Sequence, residues 1–528
     1  MSSGSALTPS ASTISQSSRA VRGVAAARPH DVAVQIDEHS VTYEELNAQG
    51  DRLAQRLVRE GRSGGDRIAL RASGTHSCMV GFLAVQRAGM VSVPVDPTAP
   101  HDRVRTILAD VGASVLLSDV DGDEDLPRFA GHPVTFGADL DPVPIDRERG
   151  ELVSIVYTSG STGTPKGIML GREQIDETLA ALPSVGVGPG SRVGGLVAGT
   201  VGYIERLIDA VLFLQSTLVS YEIRRHGIVP LGPWLEREQI VAFATVPTVL
   251  RALLATLPPD QQFPALRTVV LSGETSTWDD VTHMRRHLSR DATIVNAFGL
   301  TETAGVASLF ITADMPVGTG SLPAGNLSSR AKVTIVGENG LAVADGEPGE
   351  IVVEGPGCAL GYWNRPDLTE SVVTVMPSGQ RQIRTGDGGR IRPDGMLEHL
   401  GRLDHLVKIS GNRVELGEVE HALAQLDGVA AAAAATYVDD TKSTRLTACV
   451  TASAGAALEP RLLRASLSRR LPGYMIPDHI AIVDEMPQLP GGKTNRALVA
   501  ELREMDEGGD ANQAADGSLE GQLVEIWR

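Results

Sequence analysis

The sequence predicts an α/β protein: a large N-terminal part of stacked, buried sheets and helices with a β subdomain, then a small α/β C-terminal part. Three observations predict it. Strand-like and helix-like segments alternate from Asp31 to about Gly150 and again over 265–311. From about Lys332, short strands are broken by Gly-containing turns. Beyond Arg402 a compact strand, helix, strand and helix follow. A chain of 528 residues can bury such cores without staples.

The elements follow in order. Residues 1–30 open Ser-rich, have no acid and lack the continuous apolar core of a secretory signal. A disordered tail is expected there, although an organellar transit peptide has similar composition. VTYEELNAQGDRLAQRLVREG (41–61) places Leu46, Leu53, Leu57 and Val58 at helical spacing, and Thr42 with Glu45 forms a capping box. RIALRAS reads as a strand, and MVGFLAVQRAGMVSVPVDP as helix, turn and strand. LRTVVLSGE, a helix and TIVNAFGLTE repeat the unit. KVTIVGENG, GEIVVEGPG and GMLEHLGR make the β subdomain. Next come LVKISGNRVE, the helix ELGEVEHALAQL, the strand VAAAAAATYV and the helix PRLLRASLSRRL. A joint near Gly401–Asp404 divides a core, 31–401, from a small subdomain, 402–504. Residues 505–517 read as a polar linker, and 518–528 as the opening helix of a further domain.

Composition excludes some functions. Net charge is −18, from 47 basic and 65 acidic side chains, so no basic excess exists to bind nucleic acid nonspecifically. One small polyanion at a local site stays compatible with that balance. No apolar run reaches the ~18–20 residues of a membrane span. Cys78, Cys358 and Cys449 are far apart with no CxxC, which argues against a disulfide framework or structural zinc and fits a reducing, cytoplasmic compartment.

YTSGSTGTPKG (157–167) is the strongest local signal, following the apolar strand LVSIVY. Gly160, Gly163 and Gly167 let backbone N–H groups approach an anion. Thr158, Ser159, Ser161, Thr162 and Thr164 add hydroxyls, and Lys166 adds charge. The pattern is a phosphate cradle but not the GxxxxGK[ST] of P-loop NTPases.

This loop resembles the nucleotide loop of the adenylate-forming superfamily, which includes acyl-CoA synthetases, luciferases and adenylation domains of nonribosomal peptide synthetases. The resemblance runs through nearly the whole chain in order: VTYEEL, RAGMVSVPVDP, NAFGLTE, GEIVVEGPGCALGYW, RTGDGGR, GRLDHLVKISGNRVELGEVE, LPGYMIP and GGKTNR are similar to the peptide-synthetase subgroup. It implies ATP-dependent formation of an acyl-adenylate with release of pyrophosphate, then transfer to the phosphopantetheine thiol of a carrier protein. The segment LEGQLVEIWR is similar to the start of such a carrier. An acyl-CoA ligase using free coenzyme A and a catalytically inactive nucleotide-binding protein are the alternatives.

The resemblance also implies roles. Phe298 offers a face to adenine and Asn296 an amide to its edge, with Gly273 and Ala297 beside them; Phe298 alone would equally suit a core. Thr301 donates to the α-phosphate, and Glu302 is a hard oxygen ligand for Mg²⁺. Asp387 suits ribose hydroxyls, although an Asp after Gly is ordinarily a turn residue. Arg402 reaches the nucleotide from the hinge, where Asp404 is the pivot; alone, Arg402 would read as a surface ion pair. Lys493 is the catalytic lysine that joins carboxylate to phosphate, a role that a lone Lys in a Gly loop would not suggest. The small domain is mobile, and after rotation Lys408 and Gly411 line the path of the thiol.

One departure stands out. Amino-acid-activating members carry an Asp that pairs with the substrate ammonium. Aligning Glu205 with the usual downstream Glu puts Thr200 at that position. A buried ammonium without an anion is costly, so the expected acid lacks a free α-amino group or presents its amine elsewhere. The matching pocket positions, Val201, Ile204, Ala244, Val270, Ser272, Ala297, Gly305 and Val306, are small or apolar. Glu205 and Asp209 are possible polar contacts, although helical spacing alone would put both on a solvated face.

Overall fold

A computed structural model describes residues 15–113, 115–120, 123, 141–159, 165–181, 186–197, 201–403, 406–453, 455–488 and 494–506. Two sheets build the large part. The six-stranded sheet contains Arg67–Arg71, Val91–Pro94, Leu152–Thr158 and Lys166–Gly171; the nine-stranded sheet contains Ala242–Thr245, Thr268–Ser272 and Thr293–Gly299. The last three strands run parallel. Their connecting helices bury apolar faces on the sheet, with Val249, Leu250, Val281 and Met284 in one core beside Val269 and Ile294.

The expected helix in 41–61 is Tyr43–Arg59. Its capping box is formed by Thr42 and Glu45, and Leu46, Leu53 and Leu57 are fully buried. The expected β subdomain is a five-stranded sheet carrying Lys332–Val336, Gly349–Gly355 and Arg381–Ile391. It extends through Leu397–Arg402, so Arg402 still belongs to the larger part's sheet. The small part has its own core around Val414, Val419, Leu423 and Met475, beneath a three-stranded sheet. The alanine run forms the strand Val429–Val438.

The tail expected over 1–30 is corrected from Ser15 onward. Gln16–Ala27 is a helix capped by Ser15, with Ser17, Ser18, Val21 and Val24 buried. Composition misleads because partners distant in sequence satisfy the polar groups. The Arg22 guanidinium donates twice to Asp51, at 2.9 and 2.7 Å, and also to Asp146. Ser17 donates to Asp209, and Ser18 accepts from Arg87. At the other end the helix Arg496–Asp506 extends into the linker expected over 505–517; the rest of that linker and 518–528 lie outside the described residues.

Candidate active site

The strands Val91–Pro94, Leu152–Thr158, Thr268–Ser272 and Thr293–Gly299 all end at one cleft of about 360 Å³. Clefts outside the carboxyl ends of parallel strands are where α/β sheets bind ligands, because the loops there are free to carry chemistry. Thr158, Ser159, Ser272, Gly273, Ala297, Phe298, Thr301 and Gly305 line it from the large part, together with Arg402. Lys408, Gly411 and Arg413 line it from the small part. Among the described residues the buried Thr158 hydroxyl has no partner, a donor suited to a ligand at the start of the phosphate-type loop. Gly160, Ser161, Thr162 and Gly163 in that loop, and also Thr200, Asp404 and Lys493, lie outside the described residues, as does the side chain of Val201.

Other expected residues fall elsewhere. Val306 is fully buried in the β-subdomain core, and Ala244, Val270 and Ile204 are not among the cleft's lining. The Asn296 amide is buried and donates to the Pro323 carbonyl at 2.9 Å, so its N–H is engaged away from the cleft. Phe298 lines the cleft and meets the His399 ring at 5.1 Å between centroids. Asp387 is 1 % exposed. Its carboxylate accepts from His399 at 2.8 Å and from Arg402 at 2.7 Å. Burial pushes its pKa up, but His399 and Arg402 outweigh that and hold it below the ordinary range.

Glu205 and Asp209 are not on a solvated face. Both are buried and border a separate small void with Arg149. Glu205 accepts from Ser92 and from Ser154, the latter at 3.0 Å, and burial raises its pKa to about 7.

Glu302 gives the site its electrostatic centre. It is buried, and both oxygens accept from Arg413 Nη1 at 2.7 Å while Tyr362 donates at 2.9 Å. Burial alone would raise this carboxylate; Arg413 and Lys166 bring it below its usual value. One carboxylate beside a phosphate cradle suits Mg²⁺, which takes few protein ligands and keeps water and phosphate oxygens. Here Arg413 covers that carboxylate, so the group fits the ion once Arg413 withdraws. Among the described residues no cluster of three or more His, Cys, Asp or Glu forms a protein-only metal site.

Arg413 reaches the site on a hairpin, Leu406–Ile409 with Asn412–Glu415. The phosphate-type loop clasps it. The Ser159 hydroxyl donates to the Arg413 carbonyl at 2.7 Å and accepts from the Glu415 amide at 3.1 Å, and Lys166 pairs with Glu415 at 3.2 Å. Arg413, Tyr362 and Glu415 were not singled out from sequence, although all three stand inside motifs that were.

Comparisons with known proteins agree with this geometry. The family model described as "AMP-binding enzyme" matches residues 21–363, and "AMP-binding enzyme C-terminal domain" matches 418–493. Tyrocidine synthase 2 from Brevibacillus parabrevis is 32% identical over 511 residues, covering 94% of this chain and 14% of that protein. The chain therefore spans only a small fraction of that relative's length. The amide bond synthetase McbA from Marinactinospora thermotolerans superposes with a TM-score of 0.80 at 25% identity, covering 93% of this chain and 99% of the other. An artificially fused adenylation–PCP di-domain from Klebsiella oxytoca shares the fold, with a TM-score of 0.77 at 21% identity over 94% of this chain and 98% of that one. No helix among the described residues is long and apolar enough to cross a membrane.

Proposed function

The chain belongs to the AMP-binding enzyme family and is an adenylate-forming ligase; from that premise we propose that it activates a carboxylic acid lacking a free α-amino group and passes the acyl group to the phosphopantetheine thiol of a carrier protein. The observation that carries the second half is the hairpin 406–415, whose Lys408 and Gly411 line the cleft while Arg413 closes on Glu302. The cleft is thus lined from both parts, which suits entry of a slender thiol arm between them. The resemblance of 518–528 to the start of a carrier supports the same acceptor.

In the first step a carboxylate oxygen of the acid attacks the α-phosphorus of ATP, and pyrophosphate departs with its electron pair. Negative charge gathers on the phosphate oxygens, so donors must already be in place. Thr158, Ser159 and Thr301 supply hydroxyls at the cleft, and Lys493 supplies the cation joining the two anions. Glu302 would hold Mg²⁺ against the phosphates, where the ion neutralises charge. Arg402 and Asp387, paired at 2.7 Å, would take the ribose hydroxyls. In the second step the thiol sulfur attacks the acyl carbon, its proton passes to solvent, and AMP leaves. A diffusible acceptor, coenzyme A or an amine, is the second reading; the fold is shared with an amide bond synthetase.

Pyrophosphate exchange across amino, aryl, hydroxy and keto acids tests the first step, and acyl loading of a carrier against coenzyme A tests the acceptor. Lys493→Ala is expected to lower exchange roughly 10²–10³-fold, the scale of one transition-state donor. Near-wild-type exchange in a folded variant removes Lys493 from the site.

A further inference from the structure

Among the described side chains of the helix Val201–Phe213, Glu205, Arg206 and Asp209 are ionisable; all three border the small void beside Arg149, and Arg206 also reaches the main cleft. Glu205 and Asp209 turn toward the small void beside Arg149. Glu205 is held by the Ser92 and Ser154 hydroxyls; Asp209 accepts from Ser17 and from Gln86. Neither lines the main cleft, so neither replaces the anion missing at Thr200. Arg206 does line it. Its Nη2 donates to the Thr301 carbonyl at 3.2 Å, an oxygen that already accepts from Gln174 at 2.9 Å. A guanidinium has five N–H donors and stays charged in proteins. Glu302 and Glu205 attract it through space. Both of those carboxylates are committed, to Arg413 and to the serines. Among the described residues Arg206 forms no ion pair. Among the described residues, then, a guanidinium with one protein hydrogen bond and no ion pair borders the cleft.

We propose that Arg206 is a specificity-determining residue that receives a second, non-reacting carboxylate, so that the acid activated is a dicarboxylic acid. A planar carboxylate matches the guanidinium fork and replaces the solvation lost at the cleft wall. A monocarboxylic acid of the same shape would place a methyl group against that charge. This assignment rests on the reading of the chain as an acid-activating enzyme.

The test pairs acids that differ only at the far end: succinate with butyrate, glutarate with valerate, terephthalate with 4-methylbenzoate. For wild type, pyrophosphate exchange should favour the best dicarboxylate over its partner by roughly 30-fold to several thousand-fold in kcat/KM, the range for removing one partner of a desolvated charge pair. Arg206→Met should abolish or reverse that preference, and Arg206→Lys should restore part of it. A preference for the monocarboxylates in wild type overturns the proposal. So does an equal fall for both members of each pair in Arg206→Met. With an unchanged melting temperature, that result assigns Arg206 to the reacting carboxylate or phosphate; with a lowered one, to support of Thr301. Calorimetric binding of the same six acids separates the two levels of inference. Arg206-dependent dicarboxylate binding without exchange supports the assignment and removes the activating role. No Arg206-dependent binding, with exchange on other acids intact, does the opposite.

Discussion

Glu205 lies between two serine hydroxyls in a space closed to solvent, and its protonation is coupled to folding. Burial raises its pKa from 4.5 to about 7, against the pull of both serines. A raised carboxyl pKa means that the folded state keeps its proton while the unfolded state has lost it. Stability should therefore fall as pH rises from about 4.5 to about 7. The loss is of order 3 kcal/mol at most, at about 1.36 kcal/mol per pKa unit. Glu205→Gln keeps the shape without the charge, so thermal melts at pH 5 and pH 8 should show the variant gaining on wild type at the higher pH. A stability gap independent of pH would mean that Glu205 titrates as an ordinary carboxylate. The sequence could not disclose this environment. Two acids four apart on a helix read as a wet face, and the groups that bury them, Ser17, Gln86, Ser92 and Ser154, come from four separate elements. Glu302 was legible because its motif is local; the Arg413 that binds it, 111 positions away, was not.

The hairpin Leu406–Ile409 and Asn412–Glu415 turns through Ser410 and Gly411, at φ 47° and 77°. Two central residues with positive φ make the turn that matches the twist of the strands, and it strongly favours small residues. Its glycine does more than turn. The Gly411 amide donates to Glu274 at 2.8 Å, and a Cβ there would meet Val246 at 2.5 Å. Gly411→Ala would thus combine left-handed strain of about 1–2 kcal/mol with a clash at the seam between the two parts. If the hairpin leaves the cleft during adenylation, as the family resemblance implies, acyl transfer should fall at least about tenfold, with a smaller effect on pyrophosphate exchange. Rapid-quench measurement of both half-reactions checks this, and equal losses would indicate general destabilisation. This element was readable as a strand with a glycine, and Gly411 does line the cleft, since both features sit within ten residues. The helix Gln16–Ala27 was not, because its stability comes from Asp51, Asp146, Arg87 and Asp209 rather than from its own sequence.

Across the whole molecule the small part is docked by charge. Arg413 pairs with Glu302, Lys166 with Glu415, Arg103 with Glu418, and Lys442 with Asp279. The last is exposed and weak; the Arg413 and Arg103 pairs are buried. The order of the motifs along the chain indicated two parts and a joint, but not their relative orientation. If Glu302 holds Mg²⁺ as proposed, orientation depends on which cation it binds, a choice made by ligands. Arg413 with both oxygens occupied and a magnesium–nucleotide complex on the same carboxylate exclude one another, so each must weaken the other by the same free energy. The docked orientation is then the one favoured after pyrophosphate has taken its charge away, when Glu302 would otherwise be buried without a partner. Arg413→Gln should shift the equilibrium toward the undocked form. Losing one member of such a pair costs about 2–5 kcal/mol, enough to move a two-state population from mostly docked to mostly open. With one fluorophore on each part, energy transfer in wild type should change on adding ATP, Mg²⁺ and acid. Arg413→Gln should start near the ligand-bound value and change little, while its acyl transfer slows more than its exchange. If the variant and wild type give the same transfer efficiency before and after ligand, Arg413 does not set the orientation, and the hairpin's contacts with Ser159 and Glu274 must hold the small part in place without it.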